Sequence, residues 1–140
     1  MTTPSATESI QARRGLHIAL WVAQGILAAA FAFVGLMKVA TPAAELQQQL
    51  PPSLPLALVR FIGMAELAGA LGVILPAATR IEPYVTPIAA IGLLTVMVLA
   101  GSFHLSRGEP EALPLILFLG GLAAFVAWGR FRRVPLPPRA

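Results

Sequence analysis

The chain has 140 residues, 57% hydrophobic and 11% charged, with a net charge of +4, where a soluble globular domain is roughly 25% charged. That much apolar surface excludes water as the natural solvent and points to a bilayer. The ten basic residues form no face interleaved with aromatics, so the high pI does not indicate a nucleic-acid partner. Cysteine is absent, which excludes disulfides, thiol exchange, iron–sulfur clusters and thiolate metal sites within the chain. Any redox role would need electrons carried on a bound molecule or on a partner.

A membrane-spanning helix needs about 20 mostly apolar residues. Residues 1–15 read as a flexible, loosely ordered segment, and the first span follows over about 16–39. Arg13 and Arg14 before an apolar run resemble the start of a signal peptide, but the run is too long for a cleaved one. The connection 41–55 carries Thr41 as a cap, Pro42 at a first helical position and Glu45 near a helix N-terminus. It predicts a short interfacial helix over about 42–50, stopped by Pro51 and Pro52. That helix either lies as a lid on the bundle mouth or is a polar loop touching headgroups. The second span covers about 56–75, the third 83–104 and the fourth 112–129. The tail 131–140, rich in Pro and Arg, is expected to be extended and mobile.

All four spans read as helices, because open sheet edges are not satisfied in lipid. The expected fold is an all-α integral membrane protein, an antiparallel bundle of four transmembrane helices. Small residues recur four apart, as in Gly25 and Ala29 or Ala65 and Gly69, which lets helices approach closely. Arg13, Arg14, Arg80, Arg130, Arg132, Arg133 and Arg139 share one side, against Lys38, Arg60 and Arg107 on the other. The positive-inside rule then puts both termini in the cytoplasm, with Trp128 and Arg130 anchoring at the inner interface.

Glu66 is the residue out of place. It lies ten residues into the second span, about 15 Å deep at 1.5 Å per residue. An ionisable group at that depth is costly and is a functional candidate by default. Gly63, Gly69 and Ala70 share its face, so it points into the bundle. Helical side chains lean toward their own N-terminus. Lys38 and His104 therefore lean inward from the outer ends of the first and third spans, while Glu66 leans outward to meet them. Three readings stay open: an ion pair that fixes helix register, a ligand or proton site, or a snorkelling Lys38 beside an unrelated protonated Glu66. Arg60 reads as a headgroup anchor or the wall of an outer vestibule. Glu109, in the loop SRGEPE, is either solvated or a partner for His104. His17 and His104 stand a membrane apart, so one haem cannot join them. His104 with a nearby Glu is too few ligands for zinc. No metal is expected.

The stretches GLMK (Gly35–Lys38), RFIGMAELAGALGVILP (Arg60–Pro76), YVTPIAAIGLL (Tyr84–Leu94) and SFHLSRGE (Ser102–Glu109), with a fourth helix ending WGR, resemble the DoxX-like membrane proteins. The resemblance covers about residues 16–130. It implies a bacterial or archaeal cytoplasmic-membrane protein. Relatives include a small membrane subunit of thiosulfate:quinone oxidoreductase and proteins linked to membrane redox or oxidative-stress complexes. Lys38, Arg60, Glu66 and His104 match the family's polar positions; no catalytic assignment comes with the match. Gly63 and Glu109 are secondary candidates from the sequence itself. Without cysteine or a fused thiol or flavin domain, the chain reads as a subunit or binder rather than a complete enzyme. Three functions follow as expectations. One is a redox-associated component that binds a quinone or similar apolar molecule at the outer polar cluster. The second is a non-catalytic anchor for a membrane redox partner protein or a homo-oligomer. The third is a small proton-coupled transporter.

Overall fold

The computed structural model describes residues 5–139. The first helix, α1 (Ala6–Ala40), begins ten residues before the expected span. Its start is a capping box. The Ser5 hydroxyl accepts the Glu8 N–H at 3.3 Å and the Glu8 carboxylate accepts the Ser5 N–H at 2.7 Å, so two orphan donors of the first turn are satisfied. Residues 6–15, expected to be loosely ordered, are therefore helical. Residues 1–4 and 140 of the two expected terminal segments lie outside the described residues.

The short helix α2 (Ala43–Gln49) forms in the first connection, with Pro42 rather than Thr41 as its N-cap and no side-chain capping bond. Leu46 is its buried residue, and the helix lies against α3 (Leu56–Thr79). α3 runs through Pro76 and ends at Arg80, whose φ of 59° is left-handed. After a tight turn come α4 (Val85–Ser106), a 3₁₀ turn at Pro110–Ala112, and α5 (Leu113–Trp128). The chain does not leave the helix at Gly129; a π turn carries it on to Arg133.

The four long helices close into an antiparallel ring. α1 packs on α3, α3 on α4, α4 on α5, and α5 returns to α1. α4 thus sits diagonally across from α1. Both termini and the α3–α4 turn share one end, called the terminal end below; α2 and the α4–α5 loop mark the far end. The core is a column of Leu27, Phe31, Val73, Leu93, Leu119 and Val126, interleaved with Ala23, Ala70, Ala90 and Ala123. The outside is equally apolar: Phe33, Phe61, Leu71, Val98, Leu99 and Leu117 are all more than half exposed. In water such a surface would drive aggregation; in lipid it costs nothing. All four helices are long and apolar enough to cross a membrane. The chain is an all-α membrane bundle.

The tail does not run free. It crosses back over the α3–α4 turn, where the Arg139 N–H donates to the Arg80 carbonyl at 3.0 Å.

Candidate functional site

The far end of the α1–α3 contact brings Lys38, Glu66, Gly63 and Arg60 together. Gly35 and Gly63 are the crossing point. A Cβ on Gly63 would stand 2.7 Å from the Lys38 Cβ and 3.0 Å from the Gly35 carbonyl oxygen, and one on Gly35 would stand 2.8 Å from the Gly63 carbonyl oxygen. Only two glycines let these backbones touch. That closeness sets the polar pair one turn away. Lys38 Nζ donates to Glu66 Oε1 at 2.6 Å, a short charge-assisted bond. Glu66 is 1% exposed and Lys38 29%, so the pair is dry on the α3 side and reachable on the α1 side. Glu66 Oε2 is buried with no hydrogen-bond partner among the described residues. A buried acceptor left open is uncommon. It can take a hydrogen bond or a proton from whatever reaches it.

Arg60, expected as a headgroup anchor or a vestibule wall, has a further role. Its guanidinium turns to α1 and donates to the carbonyls of Lys38 at 2.8 Å, of Thr41 at 2.6 Å and of Val39. The last turn of any helix leaves carbonyls unpaired and carries partial negative charge. Pro42 cannot supply the next N–H, and Arg60 satisfies these groups from the neighbouring helix. The clasp keeps the end of α1 fixed against α3 beside the Lys38–Glu66 bond.

His104 does not join that pair. It lies on α4, across the ring from α1, and its Nδ1 is 2.8 Å from Glu109 Oε2. Glu109 Oε1 also accepts from Arg107 Nε at 2.7 Å. These three form a separate, half-exposed knot at the α4–α5 loop. The Arg107 guanidinium, and then His104, hold the Glu109 carboxyl below its ordinary value of 4.5. A carboxyl lowered in the folded state stabilises the fold above its unfolded pKa, and that contribution disappears as pH falls through the lowered value. A Glu109→Gln variant should thus melt below the parent near neutral pH, and the gap between the two melting curves should close on acidification below about pH 4. A gap independent of pH would show that the contact is not electrostatic.

A second polar cluster, at the terminal end, escaped the sequence. Gln24 and Arg130 are 0% and 3% exposed. Arg130 Nε donates to Gln24 Oε1 at 2.7 Å, and Gln24 Nε2 donates to the Val73 carbonyl at 2.5 Å. His17 stands 3.2 Å from Arg130 Nη1, Trp21 Nε1 lies 3.1 Å from His17 Nε2, and the guanidinium lies over the Trp21 ring at 5.5 Å. Arg130, expected as an interface anchor, is instead an interior residue. The reason lies next door: Gly129 has no side chain, so Leu20 packs against its backbone and draws the end of α5 onto α1. Two signals were available: His17 and Trp21 sit four apart on one face, and Gln24 is an amide inside a span.

The family model of a DoxX-like family matches residues 22–126. No curated protein and no solved structure matches.

Proposed function

The chain belongs to the DoxX-like family, and on that premise we propose that it is a redox-associated membrane component whose Lys38–Glu66 pair receives the polar head of a quinone or similar apolar molecule. The observation that carries this reading is Glu66 Oε2, buried and without a partner among the described residues, beside an ammonium group that is still reachable. The carboxylate oxygen accepts from a hydroxyl of the reduced molecule. The Lys38 ammonium donates to a carbonyl of the oxidised one. An apolar ring and tail would lie in lipid against the α1–α3 face, where Phe33 and Phe61 are exposed. Seven arginines at the terminal end against three basic residues at the far end support both termini in the cytoplasm of a bacterial membrane. That orientation puts the pair in the outer half.

The test is thermal unfolding of the purified protein in mild detergent, with and without short-chain quinones and their reduced forms. A rise in melting temperature that Glu66→Gln abolishes is expected. Equal shifts in the parent and in Glu66→Gln, or none with any quinone, would remove the proposal.

A second reading has an observation of its own. Arg60 clasps the carbonyls of α1, and Gly35 and Gly63 already bring the backbones together, so this region is tied without any ligand. That favours a non-catalytic anchor holding a membrane redox partner protein or a second copy of the chain. Co-purification with a larger assembly, unchanged by Glu66→Gln, would select it.

A further inference from the structure

The terminal-end cluster buries more hydrogen-bond donors than it has acceptors. A guanidinium carries five N–H groups. On Arg130, Nε is taken by Gln24, while Nη1 faces His17 Nδ1 and, at 3.5 Å, the Val134 carbonyl. Nη2 is buried and has no partner among the described residues. His17 is claimed twice, because Trp21 Nε1 points at its other nitrogen. A neutral imidazole has one acceptor nitrogen and a protonated one has none. At least one of these donors is therefore unanswered, in addition to Nη2. The Gln24 oxygen is the cluster's side-chain acceptor for the guanidinium, and its amide nitrogen is itself a donor. No carboxylate pairs with Arg130 among the described residues.

Arg130 opens onto a cleft of about 370 Å³ between the α3–α4 turn and the returning tail. Pro83, Pro87, Phe131 and Leu136 make apolar walls, and Glu82 is the carboxylate that lines it. Glu82 pushes the Tyr84 hydroxyl above its ordinary pKa. At the same end of the bundle Arg13, Arg132 and Arg133 line a second recess of about 280 Å³. Half-exposed Tyr84, Trp128 and Phe131 ring the same level, as aromatic side chains do at a membrane interface.

We propose that this cleft binds a phosphate group carried on an anionic lipid, and that Arg130, the cation in its lining, turns its buried, unpartnered Nη2 to the phosphate on binding. A phosphate supplies oxygens that accept without donating, which is what the cluster lacks, and guanidinium is suited to it. The apolar walls fit the first carbons of a glycerolipid, and the surrounding arginines favour the anionic leaflet. Free phosphate shares the head chemistry but makes no use of those walls.

The experiment takes the full chain, stripped of lipid in a non-ionic detergent, and adds phosphatidylglycerol, phosphatidylcholine or inorganic phosphate. Native mass spectrometry reads retained adducts and a melt reads stability. Phosphatidylglycerol should leave one adduct that survives washing and raise the melting temperature by several degrees. Phosphatidylcholine should do neither, and inorganic phosphate should give a smaller rise. Arg130→Gln should abolish the adduct. Because that variant also disturbs Gln24, Leu136→Glu is the companion. Its carboxylate would enter the cleft from the wall, displace the phosphate and leave the lipid-free melting temperature unchanged or higher. Equal rises from inorganic phosphate and phosphatidylglycerol, both lost in Leu136→Glu, would keep the phosphate site and assign it to a soluble anion. Retention of phosphatidylcholine equal to phosphatidylglycerol, or an adduct undiminished in both variants, would overturn the proposal.

Discussion

Lys38→Met should destabilise the bundle by about 3 kcal/mol, at the lower end of the range for breaking a buried ion pair. The lower end applies because Lys38 keeps 29% of its side chain exposed. The loss is not that of one hydrogen bond. It is the exposure of Glu66, 1% accessible, to a site where neither oxygen has a partner. Replacing both residues, as Lys38→Met with Glu66→Leu, removes the charge as well as the bond and should recover most of the loss. Reversible unfolding in mixed detergent, run as a double-mutant cycle, gives the coupling directly. Single and double variants of equal stability would mean the two groups are not energetically paired. The cycle also bears on ligand binding, since the uncharged double variant should fold yet show no response to quinones.

Gly63→Val should be nearly as harmful, at about 1–3 kcal/mol from overpacking alone. The first atom added already meets the Lys38 Cβ at 2.7 Å and the Gly35 carbonyl oxygen at 3.0 Å. Those neighbours are fixed to backbone and cannot swing aside. The helices must separate, and separation lengthens the Lys38–Glu66 bond and pulls Arg60 off the α1 carbonyls. Gly25→Ala is the control. Nothing lies within 4 Å of its added Cβ, so stability should hold or rise by up to about 1 kcal/mol from helix propensity. The same unfolding assay, with Gly25→Ala as the reference, separates a close crossing from a generic cost of substituting glycine.

This contrast shows where sequence reasoning stops. The pattern of small residues four apart includes Gly25 as readily as Gly69. In the fold Gly35, Gly63, Gly69, Gly72 and Gly129 meet neighbouring helices, while Gly25, Gly92 and Gly121 face open space. Which glycines matter depends on helix azimuth, which composition does not carry. The same limit explains the polar residues. Lys38 and Glu66 were placed together by depth and tilt, and depth was enough because α1 and α3 are ring neighbours. His104 has a similar depth but lies on the diagonal helix, and its partner Glu109 is five residues away in its own loop. Arg60 and Arg130 both read as interface anchors because a basic residue at the end of an apolar run usually is one. Each found acceptors on another helix: the α1 carbonyls for Arg60, and for Arg130 an amide 106 positions away. The start of α1 is legible in the sequence, since Ser5 and Glu8 hold the spacing of a capping box.

The early start of α1 has a geometric consequence. Its 35 residues span about 52 Å, while the hydrocarbon core of a bilayer is about 30 Å thick. Every residue from 6 to 15 is exposed; Ala12 and Arg13 still line a recess with Arg132 and Arg133, and the residues 6–11 before them carry about 9 Å of helix clear of the bundle as a stiff mast. A domain fused to the start of that mast would inherit a compass heading as well as a height. One residue inserted between 6 and 15 would swing it by about 100°, and four would return it nearly to its original bearing while lifting it about 6 Å.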